Sequence, residues 1–296
     1  MIMARPSLLL ATGALALAAV ACAPADNTTS STTAASPAGS ASAPATACTK
    51  EQLKLITPGT LTIGTDKPAY EPWFKDDDPT NGQGFESAVA YAVAGELGFD
   101  RSEVKWETVK FDTAFAPGPK KFDFDINQVS ISPERAKAVD FSNGYYTVKQ
   151  AVVAIKGGKF AAAKSLAELK DAKIGVQVGT TSLEAVTSVI QPGAQPRVYN
   201  DQIDAVNALK NKQVDAIVVD LPTAFYVTAA QVENSAIVGQ FSATGSTPEE
   251  FGLVMEKGNT LKSCVDKAVD ALKSKGELDK IEQEWLSAAA GAPELQ

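Results

Sequence analysis

The 296-residue chain carries 27 basic and 35 acidic residues, a formal net charge of -8, and no histidine. That balance argues against nucleic acid as a partner, which needs a concentrated positive surface. Without imidazole, His-dependent catalytic triads and histidine-ligated zinc proteases are excluded.

The N-terminal elements fix the compartment. Arg5 gives a short positive start, and residues 8–20 form an apolar run too short to span a bilayer comfortably, so residues 1–21 read as a secretory signal. The run ends in Leu17-Ala18-Ala19-Val20-Ala21-Cys22, which resembles the bacterial lipobox, whose cysteine is lipidated and becomes the new first residue. Ala19 and Ala21 fit it, a Leu nearer the cysteine would fit better, and ordinary cleavage after Ala21 is the alternative. Lipidation of Cys22 is the expectation, because a free thiol at an exposed terminus is a reactive liability. Residues 22–47, rich in Ala, Ser, Thr and Pro, cannot bury enough surface to offset their ordering entropy and are expected to be a disordered tether. Roughly 250 residues remain for one large or two modest domains.

In the folded part a β-branched run at 59–65 predicts a strand, 66–84 is rich in turn residues, and 85–97 carries Ala and Val at helical spacing before Gly98. Strands are expected at 104–109 and 122–130, then a short helix at 133–139 with Pro133 in its first turn. A second series follows, with strands at 150–155, 173–178, 197–199 and 216–219, the last suited to burial on both faces. Its helices are expected at 165–169, 181–190, 203–209 and 224–230, and amphipathic helices at 261–273 and 278–286 flank Gly276. Alternating strands and helices predict an α/β protein, mainly parallel, and two such units in series suggest two lobes.

Cys48 and Cys264 remain once Cys22 goes to the lipid, an even pair in an oxidising compartment and too few for a metal site. A bridge between them would contribute about 4–5 kcal/mol on the loop-entropy model. Two separate buried thiols are the alternative.

Ligands of open α/β sheets collect beyond the carboxyl ends of the strands. Polar residues follow four predicted strands: Asp66 with the aromatic segment 70–74, Asn127-Gln128-Val129-Ser130 leading to Arg135, Gly179-Thr180-Thr181, and Asp220. Singly, each has an ordinary explanation. Arg135 could be solvated, Thr180 and Thr181 could be helix caps, Asp66 and Asp220 turn residues, and Tyr70 and Trp73 cover for a lobe face.

Together they resemble one family. Asp66, the 70–74 segment, Gly84-Phe85-Glu86, Ser130-Ile131-Ser132-Pro133-Glu134-Arg135 with Asp140-Phe141-Ser142 and Tyr145-Tyr146, Gly175-Val176-Gln177-Val178-Gly179-Thr180-Thr181, and Asp215-Ala216 to Asp220 occur in order. They are similar to the polar amino-acid binding proteins of ABC importers, of the histidine, lysine-arginine-ornithine and glutamine type. The resemblance covers everything after about Leu53.

That resemblance implies a two-lobed periplasmic-binding-protein-like (type II) fold, with two mixed sheets flanked by helices and joined by two hinge strands. It places the crossings near Gln150 and Ala243, with lobe 1 as 48–150 plus 244–296 and lobe 2 as 151–243. It implies that Arg135 forks onto an amino acid's α-carboxylate. Ser130 and Thr181 would complete that shell, aided by the positive end of the helix that Thr181 starts. Asp220 would accept from the α-ammonium, together with the carbonyl near Val129. Asp66, Asn127 and Gln128 would face the side chain, Tyr70 or Trp73 would stack over it, and Phe111, Gln177 and Thr180 would belong to the same pocket.

Departures are visible. Ser87-Ala88 replaces the usual aliphatic-acidic pair after Gly-Phe-Glu, and Asn127-Gln128 stands where the histidine and lysine binders have a Ser-Ser pair. With no second arginine beside Asp66, glutamate and aspartate are disfavoured. The expectation is a monomeric, non-enzymatic, lipid-anchored receptor on the outer face of the cell membrane, partnered by an amino acid and ABC permease subunits, with no cofactor and no metal. A periplasmic dehydratase or lyase on the same scaffold is the alternative.

Overall fold

The computed structural model describes residues 48–243, 248–287 and 291–296. Cys22 and the expected signal and tether lie outside the described residues. In chain order the first part contains β1 (Leu61–Thr65), α1 (Phe85–Glu96), β2 (Val104–Thr108), α2 (Phe111–Ala114), β3 (Phe124–Asp125), β4 (Val139–Phe141) and β5 (Tyr146–Val148). There follow β6 (Gln150–Ile155), β7 (Ile174–Gln177), α3 (Thr181–Ala185), β8 (Arg197–Tyr199), α4 (Gln202–Lys210), β9 (Ala216–Asp220), α5 (Leu221–Tyr226) and β10 (Ser235–Phe241). The chain continues through β11 (Glu249–Phe251), β12 (Val254–Glu256), α6 (Lys262–Ser274) and α7 (Glu277–Leu286).

Two mixed five-stranded sheets form, in the orders β2-β1-β3-β12-β4 and β10-β6-β9-β7-β8. In the first, β1 runs parallel to β2 and β3, while β12 is antiparallel to β3 and β4. In the second, β9 lies between parallel β7 and antiparallel β6, and its buried Ala-Ile-Val-Val run matches that central place. Between the sheets, β5 pairs antiparallel with β11, so the chain leaves the first lobe and returns to it through a two-stranded ribbon.

The first lobe's core packs α1 (Val89, Val93) against α6 (Val265, Val269, Leu272) and α7 (Leu278, Ile281). The α6 apolar residues recur at helical spacing, which is why this helix was legible in the sequence. The second sheet is covered on both faces, one by Ala185, Val186 and Ile190 and the other by Val206, Leu209 and Val227. Cys48 and Cys264 form a disulfide, with Cα atoms 5.4 Å apart across 216 residues of sequence.

Three local features differ from the sequence reading. The 122–130 strand shortens to Phe124–Asp125, because Gln128 adopts φ 49° and turns the chain away from the sheet. The 133–139 helix is a single 3-10 turn, Arg135–Lys137, followed directly by β4. The last residues do not stay with lobe 1. Leu295 is buried in the second lobe's core, and Gln240 exchanges backbone hydrogen bonds with Pro293 (2.7 Å) and Leu295 (2.8 Å).

Candidate functional site

A cavity of about 720 Å³, its open mouth included, lies at the carboxyl ends of β1, β3, β7 and β9. Nine of the twelve expected residues line it. Asp66, Tyr70, Phe111, Asn127 and Gln128 come from the first lobe, and Gln177, Thr180, Thr181 and Asp220 from the second. Trp73, Ser130 and Arg135 do not.

The first-lobe wall is built on backbone turns. Asp66 follows β1 and is pinned by the backbone N–H groups of Lys67 (2.6 Å) and Phe111 (3.1 Å). Burial pushes its pKa up, against those two hydrogen bonds, and Asp201 across the cavity pushes the same way. Burial and the acids Asp201 and Asp66 raise the neighbouring Tyr70 phenol to about 12. Asn127 is buried, and its Nδ2 has no hydrogen-bond partner among the described residues. Gln128 holds its left-handed backbone because Glu86, at the start of α1, accepts from its backbone N–H (2.7 Å) and from its side-chain amide. Glu86 also accepts from Tyr145 Oη and is fully buried, which pushes its pKa up to about 7.

The second-lobe wall starts at Gly179, whose φ of +74° suits a residue without Cβ. Thr180 caps α3 by accepting from Leu183 N–H (3.1 Å), which is the ordinary capping role. Thr181 begins α3, whose regular α geometry lasts five residues before the helix widens at Val186–Ile190. Asp220 ends β9 and accepts from Gln150 Nε2 at 2.9 Å. Its pKa is raised, by burial first and by Glu249 second.

Arg135, 8% exposed, sits behind the wall where the lobes meet. It donates from Nη1 to Ser130 O and from Nη2 to Gly179 O, both at 2.8 Å, and its guanidinium lies 4.4 Å from the Phe115 ring centroid. Burial lowers its pKa, while Glu184, Glu249 and Asp220 favour the charge. Ser130 Oγ donates to Glu249 Oε1 at 2.6 Å and lies 3.3 Å from Thr181 Oγ1. Its backbone is fixed by the crossing strand, through Ile131 N–H to Glu250 O (2.8 Å) and Gly252 N–H to Val129 O (3.1 Å).

Trp73 is not available to stack over a ligand. It is fully buried among Phe85, Tyr146 and Phe251, and its Nε1 donates to Thr223 Oγ1 of the other lobe at 2.9 Å. It ties the lobes together instead.

Sequence reasoning missed Glu249, Gln150, Ser182, Asp201, Gln202 and Glu86. Gln150 carried a usable signal, since it is a polar residue opening an otherwise apolar strand. Glu249 carried none, lying in a short acidic run.

Residues 61–288 match the family described as bacterial extracellular solute-binding proteins, family 3. The chain belongs to this family. Among relatives, the L-cystine-binding protein TcyJ of Escherichia coli (strain K12) is 31% identical over 232 residues, which is 78% of this chain and 84% of that protein. Among solved structures, an ancestral arginine-binding protein bound to glutamine has TM-score 0.64 and 34% identity, covering 77% of this chain and 98% of the other. The ancestral amino acid-binding protein AncCDT-1, a precursor of cyclohexadienyl dehydratase, has TM-score 0.63 and 32% identity, over 77% of this chain and 95% of the other. The family 3 solute-binding proteins thus share both the sequence pattern and the type II fold of this chain.

Proposed function

We propose that this chain captures a polar amino acid between its lobes and delivers it to the permease of an ABC importer, anchored outside the cell membrane by a lipid on Cys22 and acting as a monomer. The observation that carries the reading is that Asp220 of the second lobe lines the cavity while Arg135 of the first lies behind its wall, its guanidinium donating to the Ser130 and Gly179 carbonyls. An amino-acid zwitterion presents opposite charges a few ångströms apart, so it joins the two groups only when the lobes meet. In this mechanism a carboxylate takes over the Arg135 Nη2 donor that now serves Gly179 O. Ser130, Thr181 and nearby backbone N–H groups complete its shell. The ammonium goes to Asp220. Charge-assisted bonds contribute about 1.5–3 kcal/mol each, so a few reach the roughly 8 kcal/mol of micromolar binding.

The ligand's side chain lies toward Asp66, Tyr70, Phe111 and Asn127, with Gln177 and Asp201 opposite. Asp66, Asp201 and Asp220 make the lining acidic, which favours a ligand carrying positive charge and fits relatives named for cystine and arginine. A dehydratase role would require one of these acids to work on bound substrate, and AncCDT-1 keeps that reading in view. Calorimetry with the twenty amino acids tests the proposal, for which micromolar binding of at least one is expected. Turnover of a bound compound would support the enzyme instead. Replacing Cys22 by Ala is expected to release the protein from the membrane fraction.

A further inference from the structure

Glu249 is a buried carboxylate at the crossing between the lobes, where an acid needs partners to be tolerated. Its Oε1 accepts from Ser130 Oγ at 2.6 Å, and its Oε2 accepts from Gln150 Nε2 at 3.2 Å. The same Gln150 nitrogen donates to Asp220 Oδ1 at 2.9 Å. Gln150 Oε1 accepts from Ser182 Oγ at 2.6 Å, which fits an amide oriented with its oxygen toward the hydroxyl and its nitrogen toward the acids. One amide nitrogen therefore serves two carboxylates, from β11 and from the end of β9, at the place where the ligand's ammonium is expected.

We propose that Glu249 is a positioning residue of the ligand site, which holds Gln150 and Ser130 in place and, as a second acid beside Asp220, makes capture of an ammonium release a proton from Asp220. This rests on the amino-acid reading above. The charged and titratable groups around Asp220 are Glu249 on β11, Glu86 on α1, Arg135 beside Ser130, and the Tyr145 and Tyr146 phenols next to the ribbon. Burial, Glu249 and Glu86 all push the Asp220 carboxyl up, to about 8, while the Gln150 hydrogen bond and Arg135 act in the opposite direction. Near neutral pH the empty Asp220 carboxyl thus retains a proton. An ammonium arriving as –NH3+ favours the ionised Asp220 carboxylate, so its O–H bond breaks and the proton passes to the buffer. The ligand keeps all of its own protons.

The test is calorimetry on the full-length chain with L-cystine, L-arginine, L-histidine and L-glutamine in turn, at pH 6.5, in buffers of differing ionisation enthalpy. The expected result is release of 0.5–1 proton per amino acid bound, with affinity rising toward about tenfold per pH unit between pH 6 and 7. In Glu249→Gln both quantities are expected to fall by at least half, and Glu249→Asp is expected to restore most of the release. Binding without proton release in the wild-type chain overturns this proposal while leaving the amino-acid reading intact, and needs no variant to fold. Unchanged release in a folded Glu249→Gln protein also overturns it. If none of the four gives heat the remaining amino acids are titrated in the same way, and absence of heat with all of them removes both readings together.

Discussion

The two ends of the cavity are built on opposite principles. Behind the end nearest the crossing strands, Arg135, Ser130, Gln150, Glu249 and Ser182 satisfy one another across the lobes. Beneath the other end, Asn127 Nδ2, Thr65 Oγ1 and both Asp125 carboxylate oxygens are buried without hydrogen-bond partners among the described residues. On the proposed function, the first arrangement serves the groups that never change, the α-carboxylate and α-ammonium common to every amino acid. The second leaves polar atoms open beside the place expected for the side chain, where relatives with different ligands need to differ.

The largest effect should follow from damage to the satisfied end. Arg135→Ala is expected to weaken amino-acid binding at least a hundredfold by calorimetry. The empty protein should also lose about 1–3 kcal/mol, because the Ser130 and Gly179 carbonyls lose a charged donor. Next comes Asp220→Asn, with an expected loss of about ten- to fiftyfold, since one hydrogen-bonded charge is exchanged for a neutral amide. At the open end, Asn127→Leu should alter preference more than strength, changing the L-arginine to L-glutamine affinity ratio by at least about threefold while both still bind. An equal loss for every amino acid would move Asn127 into the invariant half of the site.

The smallest effect on binding is expected from Asp125→Asn, under about twofold, and its signature lies in stability. Burial, Glu86 and Asp66 hold the Asp125 carboxyl well above the ordinary carboxylate range. A raised folded-state pKa means that the native protein binds the proton more tightly than the unfolded chain. Stability is therefore full below the unfolded value near 4 and falls as pH rises toward the folded value. Glu86 acts in the same direction up to about 7. The melting temperature should decline from pH 5 to pH 8 in the wild-type chain. Asp125→Asn should flatten that slope and raise the value at pH 8 by about 3 °C. A parallel shift at all pH values would show that Asp125 ionises normally.

Much of the architecture was legible because it depends on local periodicity. The β1 and β9 runs, the α1 spacing and the stripes on α6 and α7 each announce a buried face within a few residues of sequence. The cavity wall was legible through residues that follow strands, and nine of the twelve expected side chains line it. What could not be read depends on contacts distant in sequence. Trp73 looked like a stacking ring until its partner proved to be Thr223, 150 residues away. Glu249 meets Ser130 across 119 residues and Gln150 across 99, distances over which no pattern in a single sequence reports. The strand ending at Asp125 was overestimated because the Gln128 conformation is imposed by Glu86, not by its own neighbours.

The most direct test of the central claim, that one zwitterion bridges Arg135 and Asp220, compares L-arginine with agmatine, which lacks only the α-carboxylate, on the same calorimetric scale. The account predicts that L-arginine binds at least a hundredfold more tightly than agmatine and that Arg135→Ala removes most of this difference. Equal affinity for the two compounds in the wild-type protein would contradict it.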